Sequence, residues 1–105
     1  MSFVGTWRVV SSPDFEDDYL RMEVEPFVRL RRDGERLVGE YHVGLQSGSL
    51  DGRLVDETHV VFSFEGNDEM DEVNGAATAT LTGDRMVFTL RYHLGDDFTF
   101  ECERR

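Results

Sequence analysis

One stretch of eight residues, Glu65-Gly66-Asn67-Asp68-Glu69-Met70-Asp71-Glu72, holds six side chains that end in carboxylate or amide oxygens. That donor type suits a hard cation such as Ca²⁺ or Mn²⁺. A second acidic group, Asp96-Asp97, follows His93-Leu94-Gly95. Asp68, Glu69, Asp71, Asp96 and Asp97 are therefore the metal-ligand candidates. The spacing matches no EF-hand loop, and the same residues would serve as solvated acidic turns. His93 beside carboxylates has the makings of a general base or a metal ligand. Strand parity points it outward, however, as it does His42. No serine sits in a nucleophile elbow, and no glycine-rich phosphate loop leads from a strand into a helix. We expect no catalytic residues, and the sequence leaves any cofactor open.

The other chemically suggestive set is aromatic. Tyr41, Phe62, Phe64, Phe88, Tyr92 and Phe98 fall on one face of their segments, together with Trp7 and Phe100. Such a set either lines an apolar ligand cavity, with Tyr41 and Tyr92 as polar handles near its mouth, or fills a core by itself. Gly75, Ala77 and Ala79 on the same face argue for residual space.

Both sets need strands to position them. Period-two alternation runs through nearly the whole chain, and helical spacing is almost absent. Phe3, Gly5, Trp7 and Val9 mark a first strand, and Val28 and Leu30 a second. Leu37, Gly39, Tyr41 and Val43 mark a third, and Leu50, Gly52 and Leu54 a fourth. Val60, Phe62 and Phe64 follow, then Val73 to Leu81, Met86 to Tyr92, and Phe98 to Cys102. The spacing predicts an all-β fold. Its form is a small eight-stranded antiparallel up-and-down barrel, with one short helix from Pro13 to about Leu20, capped by Ser12, after the first strand. A two-sheet sandwich is the alternative. Tight turns at Arg32–Glu35, Val55–Thr58 and Thr82–Arg85 alternate with longer connections at Ser11–Glu25, Gly44–Ser47, Glu65–Glu72 and His93–Asp97. In a meander the longer connections share one end, and a site is expected there.

Composition narrows the partners. The 105 residues suit one domain, 1–105, and Cys102 is the only cysteine, so no internal disulfide forms. Met1-Ser2 leads directly into strand-like sequence, so we expect no signal peptide and a cytoplasmic setting. No apolar run is long enough for a membrane helix. Acids outnumber bases 22 to 11, for a net charge of −11. That excess repels nucleic acid and anionic membranes. Every base is Arg, and the chain has neither Lys nor Ile. This pattern fits a bacterial source with a GC-rich genome.

Phe3-Val4-Gly5-Thr6-Trp7, followed by Asp17-Asp18-Tyr19-Leu20, resembles the start of a fatty-acid-binding protein. More broadly it resembles the calycin barrels, which include lipocalins and avidins. The resemblance runs from Phe3 to about Arg21. It implies structural roles for Gly5, Trp7 and Arg104, with Trp7 plugging the closed end and Arg104 stacked on it. It also implies a helical segment over the open end. The Arg-x-Tyr that holds a fatty-acid carboxylate has no counterpart in Phe98–Arg104, so that specificity is not implied. Phe62-Ser63-Phe64-Glu65-Gly66-Asn67-Asp68-Glu69 with His93-Leu94-Gly95-Asp96-Asp97 resembles a family of small bacterial proteins without an assigned function. That likeness implies that the two acidic loops act together.

The expected function is non-catalytic binding of a small apolar or amphipathic ligand entering at the mouth. An alternative is an interaction protein, monomer or homodimer, whose acidic rim docks a basic partner. A third is a metal-assisted hydrolase, which requires the five acidic candidates to converge on one ion.

Overall fold

The computed structural model describes residues 2–105. Eight strands run in chain order: β1 (Gly5–Ser11), β2 (Phe27–Asp33), β3 (Arg36–Val43), β4 (Gln46–Asp56), β5 (His59–Asp68), β6 (Asp71–Thr82), β7 (Arg85–Tyr92) and β8 (Asp97–Arg104). Each pairs antiparallel with the next, and β8 returns to β1 to close a barrel. Closure leaves no strand edge open for pairing. One helix of four residues, α1 (Asp17–Leu20), lies between β1 and β2. No helix among the described residues is long and apolar enough to cross a membrane.

The alternation seen in the sequence sets the register. Leu50 lies opposite Phe64, Phe64 opposite Gly75, and Gly75 opposite Tyr92. In the next inward row Phe62 faces Ala77 and Ala77 faces Leu90. Glycine at 75 is required by close approach, because a Cβ there would lie 2.0 Å from the Arg91 carbonyl oxygen. Trp7 is fully buried at one end, donating from Nε1 to the Phe3 carbonyl at 2.9 Å. The Arg104 guanidinium sits 4.2 Å over its ring, a cation–π contact that also donates to the Val4 carbonyl. The turns β2–β3, β4–β5 and β6–β7 share this end, and the other turns share the opposite end with α1.

Four local features depart from the reading of the sequence. The acidic stretch is mostly strand: β5 continues to Asp68, β6 begins at Asp71, and only Glu69-Met70 turns, with Glu69 at φ 59°. Its ladder needs only backbone partners, which β4 supplies as far as Asp68. Gly44-Leu45 likewise forms a two-residue turn. Leu54 is 44% exposed, because β4 runs past the end of the core and its register with β5 shifts there. The helix is shorter than Pro13–Leu20 and has Glu16, not Ser12, at its cap. The Ser12 hydroxyl instead donates to the Thr99 carbonyl of β8 at 2.5 Å.

Candidate functional site

The open end is stoppered by its own chain. After β1, the Asp14 carboxylate accepts from the Thr99 amide at 2.7 Å, which carries the chain across the mouth. Phe15 then stacks on Tyr19 with centroids 4.7 Å apart, and meets Phe98 at 5.0 Å and Phe100 at 5.9 Å. The Leu20 side chain is buried, and its carbonyl accepts from the Gly44 amide at 3.0 Å. Gly44 is the second glycine the fold demands. It has φ +57°, and a Cβ there would come within 2.2 Å of the Tyr19 ring.

Beneath this plug the six aromatic residues singled out in the sequence form one chain of ring contacts. Phe98 meets Tyr92 edge-on at 5.2 Å, and Tyr92 meets Phe64 at 5.7 Å. Phe64 meets Tyr41 at 6.0 Å, and Tyr41 meets Phe88 at 6.1 Å. Phe88 in turn meets Phe62 at 6.3 Å. Phe62, Phe64 and Phe88 are buried, so the interior is occupied by its own rings; hollows lie along β4–β6 beside Ser49, Glu65 and Asn74, and at the Trp7 end beside Phe3, Arg32 and Leu54.

A polar cluster sits between plug and core. Gln46, 1% exposed, is the one buried polar side chain among the described residues. Its Oε1 accepts from the Tyr92 hydroxyl at 2.5 Å, and its Nε2 donates to the Tyr19 hydroxyl oxygen at 3.1 Å. That oxygen also accepts from the Leu45 amide at 3.3 Å. Asp68 Oδ2 lies 3.4 Å from the Tyr92 hydroxyl, a weaker second acceptor for the same proton. The Tyr41 hydroxyl is buried and no protein group partners it. A Cβ on Gly48 would stand 2.8 Å from it, so this glycine makes room for the hydroxyl. Burial, and then the Asp68 charge, raise the Tyr41 and Tyr92 phenols above their ordinary range, so both stay protonated. Gln46 and Tyr19 are absent from the sequence-derived site. The signal for Gln46 was available, since it is a polar residue at the inward parity of Gly48, Leu50 and Gly52.

The five acidic metal candidates are not gathered. Asp68 turns toward Tyr92, Glu69 occupies the tight turn, and Asp71 is exposed at the start of β6. Asp97 pairs with Arg91 at 3.5 Å, and the Asp96 carbonyl accepts from the Tyr92 amide at 3.1 Å. Among the described residues no three His, Cys, Asp or Glu side chains come together as a metal site would require. His93 is exposed, whereas His42 pairs with Glu23 at 3.0 Å and His59 with Asp56 at 2.9 Å. The Cys102 thiol is buried in the barrel core, and burial, with Glu101 adding to it, pushes its pKa up to about 12. It is therefore a poor nucleophile at neutral pH. No family model matches this chain, and no curated protein matches it.

Proposed function

We propose that this protein binds a small apolar or amphipathic molecule, without catalysis, at the mouth of a calycin-like barrel. The single observation behind this reading is the buried, unpartnered Tyr41 hydroxyl, within electrostatic reach of Tyr92 and Asp68. Leaving a buried hydroxyl unpaired costs about 1–3 kcal/mol. Such a cost marks a place where a polar atom is wanted. The Phe15–Tyr19 segment acts as the displaceable cover. Phe15 is only half-buried, so swinging it out forfeits about 1–2 kcal/mol of apolar burial. Lifting Tyr19 with it also breaks its bonds with Gln46 and Leu45, so the open form is a minor state that a ligand selects. The ligand's apolar part replaces Phe15 against Phe98 and Phe100, and its polar end meets the cluster. The protonated phenols and the buried Cys102 supply neither base nor nucleophile, which favours binding over turnover.

Titration with the neutral apolar fluorophore N-phenyl-1-naphthylamine tests this. Saturable 1:1 enhancement is expected, strengthened by Phe15→Ala, which removes the competing side chain. Native mass spectrometry of the purified protein would show any retained ligand. A bare mass together with no fluorophore binding by either protein would end the proposal.

A further inference from the structure

We propose that the polar end of the ligand is a cation, with a primary ammonium on a short apolar tail as the simplest case. This rests on the mouth-binding reading above and names the ligand class for that same site.

The Tyr92 proton goes to Gln46 Oε1, and one Gln46 amide proton goes to the Tyr19 oxygen. Asp68 receives only the long 3.4 Å contact from Tyr92, and no Arg or His pairs with it among the described residues. The cluster therefore offers a carboxylate with open lone pairs and, in Tyr41, a hydroxyl with neither donor nor acceptor in reach. The carboxylate calls for a donor and an ammonium brings three, one of which the Tyr41 oxygen can also take. A carboxylate ligand would receive the Tyr41 proton but meet no cation. Arg21, which follows α1, and Arg91 of β7 are already matched, the first to Asp17 and Glu25 and the second to Asp97. It would also lie beside the Asp68 charge at partial burial, where like charges repel strongly. The missing Arg-x-Tyr clamp and the open Asp68 thus point the same way.

The experiment compares octylamine, octanol and octanoate, one tail with three heads, as competitors of N-phenyl-1-naphthylamine on the full chain at 150 mM salt. Octylamine is expected to displace the probe at ~10-fold lower concentration than octanol, with octanoate weakest of all. Asp68→Asn is expected to abolish the advantage of octylamine while leaving octanol unchanged. Glu72→Gln removes the same charge from the exposed rim and should leave the preference intact. Equal competition by octanoate would overturn the inference, as would loss of the preference in Glu72→Gln, which would make it a property of the overall −11 charge. Competition by octanol without any head-group preference would retain the mouth site and remove the cation. Failure of all three competitors, with no probe binding, would remove both.

Discussion

Two tyrosines of the same cluster should respond in opposite directions to loss of one oxygen. In Tyr41→Phe the hydroxyl removed is 1% exposed at the residue level and has no protein partner. The ring keeps its edge-on contact with Phe64, so little packing is lost. Burying an unpaired hydroxyl costs about 1–3 kcal/mol, and this cost disappears in the variant. A stabilisation of about 1 kcal/mol is expected, which for a chain of this size is a rise of about 4 °C in Tm. Tyr92→Phe does the reverse. It removes the donor to Gln46 Oε1, leaving a buried amide oxygen unpaired, at a cost of about 1–3 kcal/mol. Urea unfolding followed by the fluorescence of Trp7, buried at the far end, measures both variants without disturbing the reporter. With an m-value of about 1–3 kcal/mol/M, the two midpoints should separate by roughly 1 M. Destabilisation of Tyr41→Phe by more than 1 kcal/mol would refute the reasoning, since the hydroxyl must then have a strong partner in solution. The same variant should bind octylamine less well, so stability and ligand affinity are opposed at this position.

Gly44→Ala should loosen the plug. The new Cβ meets the Tyr19 ring and the backbone holds φ +57°, so a loss of about 1–2 kcal/mol is expected, with faster hydrogen exchange at the Gly44 and Leu45 amides and tighter N-phenyl-1-naphthylamine binding. Unchanged exchange would separate Gly44 from the cover. Stability should fall in alkali. From pH 9.0 the unfolded chain releases the Cys102 proton, which the folded chain holds to about 12. Above pH 10.0 it also releases those of Tyr41 and Tyr92, whose folded values are raised. Each group adds a slope of about −1.4 kcal/mol per pH unit, absent below pH 9.0, and a flat profile between pH 9 and 11 in urea titrations would contradict the burial of these groups. Cys102 should react with a thiol reagent at pH 8 only as fast as the chain unfolds, so labelling should accelerate with urea; labelling at the rate of a free thiol in native buffer would show the β7–β8 seam to be open.

Most of the barrel was legible because a closed sheet with one buried face writes its register as alternation. Trp7, Leu50, Phe64 and Phe88 point inward for the reason that their parity says so, and a slip of one residue would turn each of them to water. Legibility failed where backbone pairing outlasts the apolar code. Glu65 to Asp68 read as a loop because its side chains are polar or absent, yet the ladder there is complete, held by β4 on one side and β6 on the other. The helix was misjudged for a related reason. Ser12 has the chemistry of a cap and its Oγ does accept from the Asp14 amide at 3.1 Å, but its hydroxyl ties this point to the Thr99 carbonyl of β8 and the helix begins only at Asp17, which local spacing does not reveal.

At the site, side-chain parity carries what composition does not. Tyr41 and Tyr92 were identifiable as polar tips on an inward face, but the acidic stretch pointed toward a metal because composition counts carboxylates without aiming them. Alternation aims them. On β5 only Asp68 among those acids has the parity of Phe62 and Phe64, and on β4 Gln46 shares the parity of Leu50. Those two polar residues at inward positions, both at the mouth end, are what the proposed binding rests on, with Tyr92 of the wall meeting both and Tyr19 of the cover meeting Gln46. A polar side chain on the core face costs stability unless it is paired, and Gln46 is paired at its oxygen by Tyr92 and at its nitrogen by Tyr19 from the cover itself. Displacing the cover therefore unpairs the Gln46 amide nitrogen as well as exposing Tyr41 and Asp68. A ligand that binds must supply polar contacts as well as apolar ones, which makes a purely apolar molecule the weaker occupant of this mouth.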